Sequence, residues 1–369
     1  MARWAVLPLL ACFLSGASSA TIAPKVFIIS MFSSEAAVWS GIPEFNVYAQ
    51  NITVPGFSPL FPTAHCTGDG SVCLLTTGQA EINAASTISS LLHAQTFNLT
   101  YTYFLVAGIA GVSPKVATIA SVTFARYAVQ VALQYEIDAR EMPANFATGY
   151  FPEGSTAPGQ LPGVGWWDGT EVFEVNDDLR RLAFGFASTA TLNDTADAQA
   201  ARALYANSTS FTAGASPPSV VLCDTATSDV FWTGNLLGTA FENTTRVFTN
   251  GGAEYCTSQQ EDNATLNALL RGALFGLVDF ARIIVMRSGS DFDRPYPGQT
   301  VLDNLLGPTP GWNSALMNLH LAGVKVVEGI VNEWESKFAR GVKASNYIGD
   351  VFGSLGGSPD FGPTTQTSA

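Results

Sequence analysis

The sequence has few positive charges and few histidines. Its 369 residues contain 17 Lys and Arg against 30 Asp and Glu, a formal net charge of −13, and three His. Phosphate contacts need basic side chains, so this balance disfavours a nucleic-acid polymer as a partner. With three histidines, Ser or Cys triads have few bases available, and neither Gly-x-Ser-x-Gly nor His-Glu-x-x-His occurs. The composition therefore favours a small or neutral ligand.

A long apolar run is missing beyond residues 1–20. The chain opens with a single Arg, stays apolar through Leu14 and reaches small residues at Ala20, a pattern typical of a secretory signal peptide cleaved after Ala20. This run is too short to span a membrane. The next apolar candidate, residues 268–286, contains three charged side chains that are costly in a bilayer. We therefore predict a secreted or cell-surface protein without a transmembrane span.

Cysteine is scarce as well. The sequence has five Cys, and four remain once Cys12 leaves with the signal peptide. An even number in an oxidising compartment predicts disulfides, and among three pairings we favour Cys66–Cys73 and Cys223–Cys256. No Cys-x-x-Cys occurs, which disfavours zinc, and we predict neither a metal nor a cofactor. Six sequons indicate a glycoprotein: Asn51, Asn98, Asn193, Asn207, Asn243 and Asn263.

Strand-like and helix-like segments alternate without a clear linker, which predicts one α/β domain over residues 21–354. Residues 142–169 are rich in Pro and Gly and too long for an ordinary connection, so we interpret them as an insertion. The polar residues 355–369 read as a disordered tail.

Two carboxylates follow predicted strands. The apolar run that begins at Ile283 predicts a buried parallel strand with Asp291 just past it, and residues 25–30 predict a first strand followed by Glu35. Ligands bind at the carboxyl ends of the strands in open α/β sheets. Ser33 or Ser34 is expected to cap a helix that begins near Glu35. Each acid also has an ordinary structural explanation, because Asp caps turns and Glu is favoured in a first helical turn.

Six segments in one order resemble the nucleoside phosphorylase and nucleosidase superfamily. They are residues 25–35, 77–85, Val106-Ala-Gly-Ile-Ala-Gly111, Ser228-Asp-Val-Phe231, Glu261-Asp-Asn-Ala-Thr265 and Val285-Met-Arg-Ser-Gly-Ser-Asp291. With the insertion at 142–169, the chain resembles the fungal purine nucleoside permease family over about residues 25–306. The resemblance implies a three-layer α/β/α sandwich with a mixed, partly barrel-like sheet.

The resemblance also implies roles for individual residues. Asp291 is similar to the acid that protonates the purine at N7, and Glu35 to the carboxylate that activates water in the nucleosidase branch. The implied substrate contacts are Glu261 and Asn263 at the ribose, Phe231 at the base, and Gly108 and Gly111 on the ribose or nucleophile side. Ser290 is a further expected substrate-binding residue.

The sequence departs from the superfamily at two places. The ribose motif is usually Glu-Met-Glu, whereas here it reads Glu261-Asp262-Asn263, and Asn263 cannot both carry a glycan and lie in a site. Phosphorylases tend to carry an anion-binding Arg just before Gly108, where this chain has Val-Ala, and Ile109 replaces a phosphate-binding Ser. Phosphate normally requires Arg, Lys or a helix amino terminus, so water is favoured as the nucleophile.

We therefore predict a secreted hydrolase that releases a purine base from a nucleoside. An alternative is a protein that binds purine nucleosides for uptake without catalysis, and a third is a relative without activity. The base preference stays open, and so does the oligomeric state, for which a homo-oligomer is one option.

Overall fold

The computed structural model describes residues 21–363. The predicted signal peptide, residues 1–20 with Cys12, and the end of the predicted tail, residues 364–369, lie outside the described residues.

Strands and helices alternate along most of the chain. The strands are β1 (Val26–Ser30), β2 (Gln50–Thr53), β3 (Thr63–Cys66), β4 (Val72–Thr76), β5 (Tyr103–Val112), β6 (Val122–Ala125), β7 (Tyr127–Gln130), β8 (Gln134–Glu136), β9 (Tyr150–Pro152), β10 (Val172–Glu174), β11 (Val220–Leu222), β12 (Asp224–Thr227), β13 (Tyr255–Gln259), β14 (Ile283–Phe292) and β15 (Gly349–Asp350). The helices are α1 (Ser33–Ala37), α2 (Glu81–Leu92), α3 (Asp177–Ala187), α4 (Ala196–Ala203), α5 (Asn235–Phe248), α6 (Asp262–Leu274), α7 (Val301–Leu306) and α8 (Trp312–Asn332).

Strand β5 is the centre of a mixed sheet. Its first half pairs with β1 in parallel, its last residues pair with β13 in antiparallel, and β14 runs parallel along nearly its whole length. From β14 the sheet continues through β6, which pairs with β14. The chain enters β7 one residue after β6, β7 pairs with β12, and β12 pairs with β13. This circuit closes one half of the sheet, while β1, β4, β3 and β2 form an open half. The expected mixed, partly barrel-like sheet is confirmed.

Alternate side chains of β1 face opposite layers of helices. Phe27 and Ile29 join an apolar cluster with residues of α2 and α6, whereas Val26 and Ile28 join a second cluster with residues of α3 and α8. This is the two-residue period of a strand covered on both faces. The result is the three-layer α/β/α sandwich.

Helix α8 is long and apolar enough to span a bilayer by length and composition. More than half of its most apolar stretch is nevertheless buried in the protein, where Leu319 and Val327 pack against the sheet. Its composition therefore fits a helix of the core.

Both favoured disulfides are confirmed. Cys66 and Cys73 lie directly opposite each other in the β3–β4 pair, and Cys223 joins Cys256 between neighbouring strands. The four cysteines are buried.

Two local predictions differ from the structure. Helix α1 begins at Ser33 after Phe32, without a side-chain cap, so neither Ser33 nor Ser34 is the capping residue. The described part of the expected disordered tail, residues 355–363, lies against the domain, because the buried Phe361 packs edge-on against Tyr127 and Tyr347. An aromatic side chain in a polar segment was the signal for this packing.

Candidate active site

A cavity of about 230 Å³ lies where β1, β5 and β14 reach their carboxyl ends. Because these three strands are parallel, the segments that follow them meet at one edge of the sheet. The β5–β14 register steps from Gly289–Ala110 to Asp291–Gly111, so Ser290 is an extra residue at a bulge beside the cavity. Six of the residues expected in the site line the cavity: Glu35, Gly111, Phe231, Glu261, Ser290 and Asp291.

Glu35 is held by the backbone from two sides. Its Oε2 accepts a hydrogen bond from the Met31 N–H at 2.7 Å, and its Oε1 accepts one from the Ile109 N–H at 2.7 Å. Burial raises the pKa of Glu35 to about 8, although Arg287 and these two amides act in the opposite direction. The carboxyl group is thereby fixed in position and has an affinity for protons suited to a base near neutral pH.

Asp291 lies across the cavity at the end of β14. Ser290 Oγ donates a hydrogen bond to its Oδ1 at 2.6 Å. Burial raises the pKa of Asp291, and the Ser290 hydroxyl partly offsets that shift. A Cβ on Gly111 would lie 3.6 Å from Asp291 Oδ2 and 2.7 Å from Ser258 Oγ, so the missing side chain leaves room beside the carboxyl group. The group is placed to hold a proton and to donate it into the cavity.

Gly108 and Asn263 lie outside the cavity lining. Asn263 is buried; its Oδ1 accepts from Thr227 Oγ1 at 2.7 Å and its Nδ2 donates to Thr170 O at 2.7 Å. The side-chain amide therefore joins α6 to neighbouring backbone and does not face the cavity. A Cβ on Gly108 would lie 2.5 Å from Arg287 Nη1 and 2.8 Å from Glu35 Oε1. Gly108 thus allows those two side chains to approach the sheet.

Arg287 is a charged cavity residue that sequence reasoning missed. It is buried on β14, donates through Nη1 to Ile109 O at 3.1 Å, and is ion-paired through Nη2 with Asp262 and with Glu261 at 3.2 Å. The signal was a lone charge inside the apolar run before Asp291, since a charge buried in a strand requires a partner. Arg287 holds Glu261, whose Oε1 also accepts from the Ala80 N–H at 3.2 Å.

Four carboxyl groups and one guanidinium group are found among the described residues that line the cavity. Glu261 is paired with Arg287, and Asp293 is paired with Arg294 at 2.8 Å. Within residues 21–363, neither Glu35 nor Asp291 has a salt bridge. The two acids without an ionic partner are those expected to transfer protons.

Aromatic side chains form two walls of the cavity. Phe231 is 62% exposed at the mouth, beside the buried Trp232. Phe32 and Trp312 line the cavity as a tilted pair with centroids 5.7 Å apart. Flat apolar walls of this kind suit a planar ring, and the carboxyl groups between them suit a polar or cationic group.

Among solved structures, the chain is similar to a 5'-methylthioadenosine/S-adenosylhomocysteine nucleosidase from Neisseria meningitidis, with a TM-score of 0.49, 13% identity, and coverage of 85% of this chain and 99% of that one. It is also similar to the futalosine hydrolase of Helicobacter pylori, with a TM-score of 0.48, 16% identity, and coverage of 84% and 98%.

Sequence comparison gives a higher similarity. A protein of Candida albicans named purine nucleoside permease is 46% identical over 353 residues, which cover 94% of this chain and 85% of that protein. The family model described as "Purine nucleoside permease (NUP)" matches residues 23–343. The chain therefore belongs to the purine nucleoside permease family.

Proposed function

We propose that the protein hydrolyses the N-glycosidic bond of purine nucleosides. The observation that carries the proposal is that Glu35 and Asp291, which are far apart in the sequence, line one cavity and, among the described residues, are its two carboxyl groups without a salt bridge. The family name supports a purine nucleoside as the ligand.

In the proposed reaction Asp291 donates a proton to N7 of the base, which makes the base a better leaving group. Glu35 accepts a proton from water, and the water oxygen attacks C1' as the bond between C1' and N9 breaks. The products are the free base and ribose. A buried acid with a raised pKa holds its proton at higher pH, and a carboxylate with a pKa near the working pH is an effective base.

The charge of the cavity favours water over phosphate. Cleavage passes through a sugar with cationic character, which nearby carboxylates stabilise. Phosphate would enter a lining with four carboxyl groups, where the guanidinium of Arg287 is already paired with Glu261 and Asp262. Glu261 and Phe231 both line the cavity. In the proposed complex Glu261 accepts hydrogen bonds from sugar hydroxyls, and Phe231 covers the face of the base.

A second candidate is binding of nucleosides for uptake without catalysis, which the name of the family favours. Purified protein incubated with adenosine or inosine, with and without phosphate, distinguishes the candidates by chromatography. Free base and ribose without phosphate support hydrolysis, a requirement for phosphate contradicts it, and intact nucleoside supports binding alone. We expect Asp291→Asn to lower turnover by roughly 10²- to 10⁴-fold; a loss of only a few-fold would remove Asp291 from the mechanism.

We further propose that the protein works outside the cell or at its surface. Two disulfides between buried cysteines and the exposed side chains of Asn98, Asn207 and Asn243 support this location, because both features suit the secretory pathway.

A further inference from the structure

Asn304, on α7, lines the cavity next to the end of β14. Its Nδ2 donates to Phe292 O at 2.9 Å and to Thr233 Oγ1 at 2.5 Å. Phe292 directly follows Asp291, so the amide of Asn304 is anchored one residue from the proposed acid. None of the steps proposed above uses this amide.

The hydrogen bonds fix which way the amide points. Thr233 Oγ1 donates its own hydrogen to Asp293 O at 3.0 Å, so it can only accept from Asn304, and the carbonyl of Phe292 can only accept as well. Both amide hydrogens of Asn304 are therefore used. A flipped amide would place Oδ1 against two acceptors and is excluded. Among the described residues Oδ1 accepts no hydrogen bond, which leaves a fixed acceptor on a residue of the cavity lining.

Purines differ in what they present beside N7. Adenine offers N7 as an acceptor and the 6-amino group as a donor, whereas 6-oxopurines offer two acceptors, N7 and O6. A protonated Asp291 supplies a donor for N7 in either case. A hydrogen-bond acceptor beside Asp291 complements the 6-amino group of adenine. In a 6-oxopurine the same acceptor would face the lone pairs of O6.

We propose that Asn304 is a specificity-determining residue that selects 6-aminopurine nucleosides over 6-oxopurine nucleosides. The inference rests on the proposed function, because it takes the base to lie against Asp291. With a 6-oxopurine, Asn304 Oδ1 and O6 would face each other as two acceptors, and neither would receive a hydrogen bond. We expect a preference of roughly 10- to 100-fold for the 6-aminopurine, the range of one base-reading contact.

The experiment measures binding of adenine and hypoxanthine to the purified full chain by calorimetry. The parent binds adenine more tightly by roughly 10- to 100-fold, and Asn304→Leu brings the two affinities within a few-fold of each other. Asp303→Asn, a change at the exposed neighbouring position on α7, keeps the preference of the parent. If Asn304→Leu acted only by disturbing the structure, it would weaken the binding of both bases equally and leave the ratio of their affinities unchanged.

Equal affinities in the parent, tighter binding of hypoxanthine, or an unchanged ratio in Asn304→Leu would each overturn the inference. The first two need no variant, so the test does not depend on how well Asn304→Leu folds. Binding of neither base would overturn the proposed function together with the inference, whereas binding with the wrong preference would overturn the inference alone.

Discussion

Replacing Glu35 with Gln should remove activity and change how stability depends on pH. The folded protein raises the pKa of this carboxyl group from 4.5 to about 8, mainly through burial. A raised pKa means that folding favours the protonated form. The stabilisation is fully present below pH 4.5, and it is lost as pH rises towards 8. At about 1.4 kcal/mol per pH unit, the loss is on the order of 4–5 kcal/mol.

Gln cannot ionise, so this loss is absent in the variant. Gln also presents an NH₂ group to one of the two backbone N–H donors, Met31 or Ile109, which costs about 1–3 kcal/mol at every pH. The informative quantity is therefore the difference in free energy of unfolding between variant and parent, followed across pH. We expect it to shift in favour of Glu35→Gln between pH 5 and pH 9.

Urea denaturation of both proteins at pH 5, 7 and 9, with linear extrapolation to water, measures this difference. The rate of purine release, measured in parallel, should fall by roughly 10²-fold or more in Glu35→Gln, because the variant lacks the carboxylate that accepts a proton from water. Below pH 8 the parent's rate should rise with pH as Glu35 ionises. A constant difference in stability across pH would show that Glu35 ionises in the fold as it does in water, and the argument from burial would be wrong.

Three further predictions test other parts of the structure. Gly108→Ala adds a Cβ 2.5 Å from Arg287 Nη1, so we expect a loss of about 1–3 kcal/mol in unfolding free energy and a reduced rate, whereas Gly185→Ala, with open space around its Cβ, should be neutral or stabilising. Arg287→Met leaves Glu261 and a neighbouring buried Asp unpaired and should cost about 3–5 kcal/mol in urea denaturation; a smaller loss would mean that those acids become protonated. In protein produced through a eukaryotic secretory pathway, glycopeptide mass spectrometry should find Asn263 unmodified, because its buried amide already makes two hydrogen bonds, and a glycan there would contradict this packing.

The sequence predicted the main elements because their signals are local. An apolar run followed by Ser-Gly-Ser-Asp291 predicts a strand with Asp291 just past its end, and the structure has β14 there but continues it through Phe292, so that Asp291 lies within the strand. The prediction that Ser33 or Ser34 caps α1 was wrong. Either serine fits the local pattern of a helix cap, but the helix begins at Ser33 itself, with Phe32 at the cap position. Short-range patterns therefore identify elements better than they identify the residue at which each element begins.

The site was harder to read because its contacts join distant segments. Asn263 fits a ribose motif by its position in the sequence, yet Thr227 and Thr170 bind its amide. Arg287 was overlooked as a site residue because its role depends on Asp262 and Glu261, which belong to another segment. The sequence of residues 285–291 alone does not predict which acids pair with the guanidinium of Arg287.

The distribution of ion pairs gives a physical reason for the proposed roles. A guanidinium favours the ionised form of a carboxylate beside it, and Arg287 lowers the pKa of Glu261 in this way, although burial is the larger cause and leaves that pKa raised. A group that transfers protons must instead change its protonation state near the working pH, and burial without a salt bridge favours such a change. Among the described residues neither Glu35 nor Asp291 forms a salt bridge, and burial is the largest cause of the raised pKa of each, although Arg287 still lowers the pKa of Glu35. Placing a Lys or Arg within 4 Å of Asp291 should therefore impair catalysis even where the cavity keeps its shape, because the neighbouring cation would hold this acid ionised and without the proton that it donates.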